Sequence, residues 1–322
     1  MLPPPLAPIL IAGPTASGKS ALAAALAARL NGVVINCDAM QVYRRLPILT
    51  AQPDAAAKAQ APHWLYEITD PAQPFSAGLW LTAAQEALHK AAAQNLRPIL
   101  TGGTGMYFQI LLKGLADIPP VPPEIRRQLQ ADWQAQGEPA IRMRLARHDP
   151  EAAQIIARGD QLRLLRALEI ILATGKTQRH WQDNTSGGLL ATARPVPLIL
   201  LPPRDALYAA CNNRFIQMAA QGAIAEVEAL RPDNLAATLP AMKIIGLREI
   251  AAFLAGAVSW ESAEAAARQA TRNYAKRQMT WFRNQWQSNK TGFAQPPILH
   301  NDFYRDGALP ALCAAIGAYQ GR

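Results

Sequence analysis

Residues 13–20 read Gly13-Pro14-Thr15-Ala16-Ser17-Gly18-Lys19-Ser20 and match the phosphate-binding pattern G-x-x-x-x-G-K-[ST]. An apolar run at residues 7–12 precedes this segment, and an alanine- and leucine-rich run at residues 21–30 follows it. The first run predicts a buried strand and the second predicts a helix. A strand, a glycine-rich loop and a helix in this order are the context in which a phosphate-binding loop works, and this favours a real loop over a chance match.

The residue types of this loop suit a phosphate group. Gly13 and Gly18 let the backbone wrap closely, so that amide N–H groups and the helix N-terminus point at one anion. Lys19 adds a full positive charge, and the Ser20 hydroxyl is placed to hold Mg²⁺ between phosphate oxygens. A glycine turn beside a surface lysine is the alternative. We therefore predict that residues 13–20 bind a diphosphate or nucleotide, with Mg²⁺ as cofactor and Ser20 as its protein ligand.

Composition limits the class of protein. The chain has 322 residues, which is enough for a large core and two structural units. Its formal net charge of +9 favours a polyanionic partner such as nucleic acid. No apolar run is long enough to span a membrane, so the expectation is a cytoplasmic protein without a membrane partner. The three cysteines are far apart and form neither a disulfide framework nor a zinc pattern.

Strands and helices alternate in the first part of the chain. Residues 32–36 predict a second buried strand that leads into Asp38, and residues 98–100 predict a third that opens into the turn Thr101-Gly102-Gly103-Thr104-Gly105. Residues 54–61, 79–95 and 106–112 read as helices, whereas 64–68 fit either a strand or a loop. Such alternation predicts a parallel sheet whose functional loops meet at the carboxyl ends of its strands.

The middle of the chain interrupts this alternation. From residue 124 to residue 187 the pattern is helical throughout, and residues 196–201 then read as another buried strand. We therefore predict an α/β fold with a P-loop NTPase-like parallel sheet core, flanked by helices, and an all-helical insertion. The core comprises residues 1–119 and 191–322, and the insertion comprises residues 120–190.

Two long helices are predicted in the last part of the chain, at residues 205–231 and 261–286, with a shorter one near Pro240. The second long helix has one face with four basic residues and two apolar ones. A phosphate backbone or diphosphate suits that face, and a solvated face packed through its aromatic residues is the alternative. Its members are Arg268, Arg272, Lys276, Met279, Arg283 and Trp286, opposite Tyr274, Gln278, Trp281 and Gln285.

Five segments in order along the chain resemble tRNA dimethylallyltransferases, also called tRNA isopentenyltransferases. They are the phosphate loop, Asp38-Ala39-Met40-Gln41-Val42-Tyr43, Gly102-Gly103-Thr104-Gly105-Met106-Tyr107, residues 160–169 (DQLRLLRALE), and residues 272–283 (RNYAKRQMTWFR). The chain departs from the family pattern in three places. It has Leu49-Thr50-Ala51-Gln52-Pro53 where Gly-Thr-Ala-Lys-Pro is usual, Ala39 where Ser is usual, and Leu247 where Tyr is commoner.

The resemblance implies transfer of a dimethylallyl group from dimethylallyl diphosphate to N6 of an adenosine in tRNA. That adenosine lies just 3′ of the anticodon, at position 37, in tRNAs that read codons beginning with U. The implied partners are the tRNA anticodon stem-loop and dimethylallyl diphosphate, and the expected state is a monomer. Asp38 and Thr104 are the implied catalytic residues, with Asp38 as the base. The implied tRNA contacts are Asp38, Ala39, Met40, Gln41, Thr104, Arg126, Gln161, Leu162, Arg163, Leu164, Leu165 and Arg166.

Each of these roles has a plainer alternative. Asp38 also fits an outer metal ligand, as in phosphate-loop kinases, and Thr104 fits a turn residue. Arg126, Arg163 and Arg166 also fit an ordinary helix surface. For the whole protein, the rivals are a small-molecule kinase, prenyl transfer to a free adenine nucleotide, and a non-enzymatic RNA-binding protein. A GTPase is not expected, because no Asn-Lys-x-Asp segment is present.

Overall fold

A computed structural model describes residues 6–185, 187–286, 293 and 296–320. Six parallel strands form one sheet in the order β3-β2-β4-β1-β5-β6. Their bounds are β1 (Ile9–Ala12), β2 (Gly32–Asn36), β3 (His63–Trp64), β4 (Arg97–Gly102), β5 (Val196–Leu200) and β6 (Ile298–His300). This sheet confirms the predicted α/β class, and it makes β2, β4 and β1 immediate neighbours.

Both faces of the sheet are covered, which explains why its strands read as continuous apolar runs. Along a strand, successive side chains point to opposite faces. Leu10 and Ala12 accordingly pack in one apolar cluster, and Ile9 and Ile11 pack in the other. The helices of the first part of the chain are α1 (Lys19–Arg29), α2 (Ala55–Gln60), α3 (Ala77–Ala93) and α4 (Gly105–Lys113).

The chain divides into two compact units, one formed by Met1–Leu112 with Leu189–Arg322 and the other by Lys113–Gly188. The second unit contains α5 (Pro123–Ala146), α6 (Pro150–Ile155), α7 (Gln161–Thr174) and α8 (Gln178–Asp183). Gly137 has a left-handed φ of 72° and kinks α5 just before Pro139. The apolar faces of α5 and α7 form the core of this helical unit around Leu129, Leu145 and Leu168.

The second part of the chain differs from the prediction at several elements. The expected single helix at 205–231 is wrong. It consists of α9 (Arg204–Met218), a π-helical turn (Ala219–Ala223) and α10 (Ile224–Leu230). Gly222, at φ 116°, adopts a conformation that a helix interior does not have, and this breaks the run. The strand β6 was not predicted, because three residues are too short to give a periodicity signal.

The remaining helices are α11 (Leu247–Leu254), α12 (Trp260–Gln285) and α13 (Leu309–Gln320). The last of these packs against α1 and was not predicted either. Within the described residues, no helix is long and apolar enough to cross a membrane.

Candidate active site

Three loops meet at the carboxyl ends of the neighbouring strands β1, β2 and β4. The phosphate loop follows β1, Cys37 and Asp38 follow β2, and Gly103 and Thr104 follow β4. The backbone joins two of these ends directly, because the Thr104 N–H donates to the Cys37 carbonyl over 3.3 Å. The order and spacing of these segments in the sequence predict this meeting point, and the sheet confirms it.

The phosphate loop has the backbone shape that its glycines imply. Gly18 has a φ of 87°, and a Cβ on Gly13 would lie 2.7 Å from the Leu200 carbonyl oxygen. The Lys19 ammonium folds back and donates to the Pro14 carbonyl over 3.1 Å. Burial lowers the pKa of Lys19 to about 8, and the negative charge of Asp38 only partly opposes that shift. A ligand with negative charge would thus find a lysine that is held in place and poorly solvated.

Asp38 and Thr104 are fixed by backbone amides. The Asp38 carboxylate accepts from the Met40 N–H over 2.9 Å, and the Asn36 side chain accepts from the Asp38 N–H over 2.8 Å. The Thr104 hydroxyl oxygen accepts from the Ala39 N–H over 3.0 Å. The other carboxylate oxygen of Asp38, Oδ2, lies close to Gly103, where a Cβ would be 3.4 Å from it. The arrangement holds a carboxylate and a hydroxyl side by side at the strand ends.

Gln278, on α12, ties the phosphate loop to the turn after β4. Its side-chain oxygen accepts from the Thr15 N–H over 2.8 Å, and its side-chain nitrogen donates to the Gly103 carbonyl over 2.8 Å. The residue is 5 % exposed, so both bonds are shielded from water. Sequence reasoning placed Gln278 on the helix face opposite the basic one and assigned it no role. Its presence in the segment 272–283 was the available signal.

Arg214 and Tyr274 were also missed. Arg214, on α9, donates to the Thr15 hydroxyl, and burial lowers the pKa of its guanidinium. The Tyr274 hydroxyl interacts with the side chains of Thr104 and Gln278. Burial raises the pKa of Tyr274, and the nearby Asp38 carboxylate adds to that shift, so the hydroxyl keeps its proton and can donate it in a hydrogen bond.

These groups border a cavity of about 320 Å³. Some of its lining side chains are polar or charged, among them Thr15, Asp38, Arg214, Tyr274 and Arg277. The apolar lining residues, which we call the apolar wall, include Met40, Leu49, Phe215, Met218, Ile244 and Ile245. A second, more open space of about 450 Å³ runs along residues 16–21 of the phosphate loop, and Arg214 borders both spaces. The first cavity can accommodate a small ligand with an anionic end and an apolar end.

A short loop after Tyr43 closes part of the cavity wall. The Gln41 side chain donates to the carbonyls of Thr50 and Ala51 over 3.0 and 2.7 Å. The Gln52 side chain turns inward and donates to the Tyr43 carbonyl over 2.7 Å. Gln52 stands where Lys is usual in the family pattern, so at this position a neutral side chain forms a hydrogen bond within the loop. Leu247, which stands where Tyr is commoner in the family, is a core residue that is 3 % exposed.

The predicted tRNA contacts in the helical unit have two different surroundings. Arg163 is 78 % exposed and pairs with Asp160. Arg126 and Arg166 both pair with Glu169, whose carboxylate is largely buried. Leu162 is exposed and Gln161 is half-buried, whereas Leu164 and Leu165 are buried in the core of the unit. A contact of α7 with RNA would therefore involve its exposed side chains, such as Leu162 and Arg163.

The interpretation of a phosphate-facing surface on α12 needs correction. Met279 and Trp286 are buried in apolar clusters, because burial of their side chains is more favourable than exposure. Arg272 donates to the Asn212 side chain on α9, and Arg268 pairs with Glu264 within the helix. The opposite face, through Tyr274 and Gln278, is the one that reaches the strand ends.

Comparison with known proteins shows the family of the chain. The model of the family described as IPP transferase matches residues 41–285. A tRNA dimethylallyltransferase of Caulobacter sp. is 50 % identical over 86 % of this chain and 89 % of its own length. That of Rhodospirillum centenum is 47 % identical over 86 % of this chain and 88 % of its own length.

Solved structures give the same result. The tRNA isopentenylpyrophosphate transferase of Bacillus halodurans is 32 % identical, covers 97 % of this chain and 95 % of its own, and has a TM-score of 0.68. A eukaryotic dimethylallyltransferase described as acting on tRNA has a TM-score of 0.78 at 26 % identity, over 96 % of this chain and 77 % of its own. Both the identity and the extent of these matches place the chain in one family: it belongs to the IPP transferases.

Proposed function

We propose that this protein is a tRNA dimethylallyltransferase. It transfers the dimethylallyl group of dimethylallyl diphosphate to N6 of adenosine 37, just 3′ of the anticodon, in tRNAs that read codons beginning with U. The relatives named above are described as acting on tRNA. This favours tRNA over a free adenine nucleotide as acceptor, and prenyl transfer over a small-molecule kinase.

One observation carries the proposal: polar and charged side chains line the same cavity as a set of apolar ones. Thr15 and Arg214 at the phosphate loop suit a diphosphate, and the apolar wall suits a five-carbon chain attached to it. Asp38 borders the same cavity, so a base and a leaving-group site are present together. A kinase would need no apolar wall for the group that it transfers.

The chemistry follows from these positions. The C1–O bond of the allylic diphosphate breaks, and diphosphate leaves with the electron pair. The N6 lone pair of adenine forms the new C1–N bond, and the Asp38 carboxylate takes the proton that N6 loses. Lys19, Arg214 and the amides of the phosphate loop stabilise the charge that develops on the departing oxygen. The Thr104 hydroxyl lies beside Asp38, where it can orient the amine or the bridging oxygen.

Mg²⁺ fits this site only together with the diphosphate. Among the described residues, no group of three or more acidic, histidine or cysteine side chains is placed to hold a metal ion. The exposed Ser20 hydroxyl at the start of α1 would be the protein ligand, and phosphate oxygens and water would complete the coordination. When bound, the ion would neutralise charge on the leaving diphosphate.

The proposed tRNA contacts outside the chemistry include both arginines and uncharged residues. Arg126, Arg163 and Arg166 on the helical unit, and Ala39, Met40 and Gln41 after β2, are the proposed contacts outside the chemistry. Adenosine 37 lies in a loop, where turning a base out of its stack costs only a few kcal/mol.

The test is a transfer assay with purified protein, Mg²⁺, radiolabelled dimethylallyl diphosphate and unmodified tRNA. We expect label in the RNA at the adenosine beside the anticodon, and loss of that label in Asp38→Ala. Label that appears only on added AMP would assign the nucleotide acceptor instead. ATP turnover without prenyl transfer would assign a kinase.

A further inference from the structure

The apolar wall of the cavity includes one residue of the loop that follows Tyr43. Leu49 lies in the loop of residues 45–51, and its side chain borders the cavity beside Phe215. A Cβ on Gly246 would lie 2.8 Å from the Leu49 side chain and 2.9 Å from the Phe215 ring, so both side chains pack directly onto that glycine. Leu49 is therefore closely packed against Gly246 and largely buried.

Two structural elements fix this loop, which we call the wall loop. On one side, Glu226 of α10 accepts from two successive amides, the Ile48 N–H over 2.7 Å and the Leu49 N–H over 2.9 Å. Arg45 binds the same helix region through Asp233 and the Ala229 carbonyl. On the other side, the Gln41 side chain binds the carbonyls of Thr50 and Ala51. The position of Leu49 is thus set by hydrogen bonds at both ends of the loop.

The wall loop also lies next to the diphosphate end of the site. Ala51 borders the open space along the phosphate loop, and Leu49 and Thr50 border the cavity. Along α9, Arg214, Phe215 and Met218 follow one another at the spacing of a single helix face. A chain attached to a diphosphate at Arg214 and Thr15 would therefore extend along Phe215, where the Leu49 side chain also borders the cavity.

We propose that Leu49 determines the length of the allylic chain that the enzyme accepts, and that Glu226 is the positioning residue that holds it there. This inference rests on the proposed function and names the donor specificity of the same site. A dimethylallyl group would contact Leu49, and loss of the Leu49 side chain would open space for a longer chain, such as a geranyl group with five more carbons. Hydrophobic pockets discriminate by about 10- to 200-fold for each methylene that they exclude or miss.

The experiment compares two donors, dimethylallyl diphosphate and geranyl diphosphate, with the same unmodified tRNA. With geranyl diphosphate, the same bond forms at N6, diphosphate leaves, and one proton is released. In Leu49→Ala we expect the ratio of kcat/KM for geranyl to that for dimethylallyl diphosphate to rise by about 10- to 100-fold, while the KM for tRNA stays unchanged. Leu49→Val should shift the ratio in the same direction by less.

Leu46→Ala is the matched control. Leu46 is fully buried in the same part of the chain but does not border the cavity, so its loss should lower activity with both donors in parallel. In Glu226→Gln, the side-chain NH2 group would face one of the two backbone N–H groups, so two donors would stand opposite each other. The variant should therefore raise the KM for dimethylallyl diphosphate more than it lowers kcat. An unchanged donor ratio in Leu49→Ala, or a change confined to the KM for tRNA, would overturn the proposal.

A binding measurement separates this outcome from failure of the proposed function. Calorimetry with unreactive thiolodiphosphate analogues of the two donors needs no tRNA and no transfer. If wild-type protein prenylates no tRNA, the proposed function fails whatever the analogues do. If wild-type protein prenylates tRNA but Leu49→Ala binds the geranyl analogue no better than wild type does, only the role of Leu49 is overturned.

Discussion

The strand ends of the sheet and the surface of the helical unit hold their functional residues in different ways. Asp38 and Thr104 are fixed by backbone amides, and buried Gln278 joins the loops beside them. The side chains of Arg126 and Arg163 are 61 % and 78 % exposed and form ion pairs with Glu169 and Asp160. Buried, fully paired groups are costly to disturb, whereas exposed ion pairs contribute little. We therefore expect large, steep effects at the strand ends and small, additive effects on the helical unit.

The largest effect is expected at Asp38. Asp38→Asn keeps an oxygen for the Met40 N–H but removes the proton acceptor, so kcat should fall by about 10²- to 10⁴-fold with little change in either KM. Single-turnover transfer to tRNA measures this directly. A loss of less than about tenfold would mean that Asp38 has the role of an outer metal ligand, and that the strand ends resemble a kinase site more than we propose.

Gln278 tests whether the connection between loops matters as much as the reacting groups. Gln278→Ala leaves the Thr15 N–H and the Gly103 carbonyl without their partner, and each unpaired buried group costs about 1–3 kcal/mol. Because the phosphate loop would lose its hydrogen bond to Gln278, we expect kcat/KM for dimethylallyl diphosphate to fall by about 10- to 100-fold. The exposed Gln269 on the same helix provides the control, because Gln269→Ala should retain near wild-type kinetics. Equal effects of the two variants would contradict the expected difference between buried, paired side chains and exposed ones.

Lys19 makes the strand ends sensitive to pH. Because burial lowers its pKa to about 8, the free enzyme loses the Lys19 charge as pH rises through that value. Binding of an anionic donor requires the charged form, so kcat/KM for dimethylallyl diphosphate should be level below pH 8 and fall about tenfold per pH unit above it. Lys19→Arg keeps its charge over this range and should lack the alkaline fall, whatever its absolute rate. A pH profile that is the same in both proteins would assign the fall to another group.

The same distinction explains what the sequence could predict. The loops after β1, β2 and β4 were located from sequence because a buried parallel strand has a recognisable apolar run and its carboxyl end has a fixed direction. The residues that contact these loops from other helices could not be located in this way. Arg214 and Gln278 come from α9 and α12, and nothing local to either helix says which neighbour it will meet.

The misassigned face of α12 has a related cause. Its basic residues were read as one surface because helical spacing places them together, but the same spacing includes Met279 and Trp286, which the core buries. Composition along one helix face cannot tell an exposed stripe from one that is half-buried, since long basic side chains can extend to water from the edge of a core. Which side chains of α12 are buried depends on the elements that pack against it, and these include α9, which lies far away in sequence.

The smallest effect is expected on the helical unit, where two arginines provide a matched pair. Arg163→Ala removes one exposed charge, so the KM for tRNA should rise only a few-fold, and the slope of log binding constant against log salt should weaken by about 0.7 to 0.9. Arg142, in contrast, is largely buried and donates to the carbonyls of Ala153 and Ile156 and to Glu138. Arg142→Ala should therefore lower the free energy of unfolding by about 2 kcal/mol and leave the salt slope unchanged. Thermal unfolding and salt-dependent tRNA binding separate the two cases. If Arg163→Ala lowered stability as much as Arg142→Ala, or left the salt slope intact, its charge would serve the fold and not the RNA.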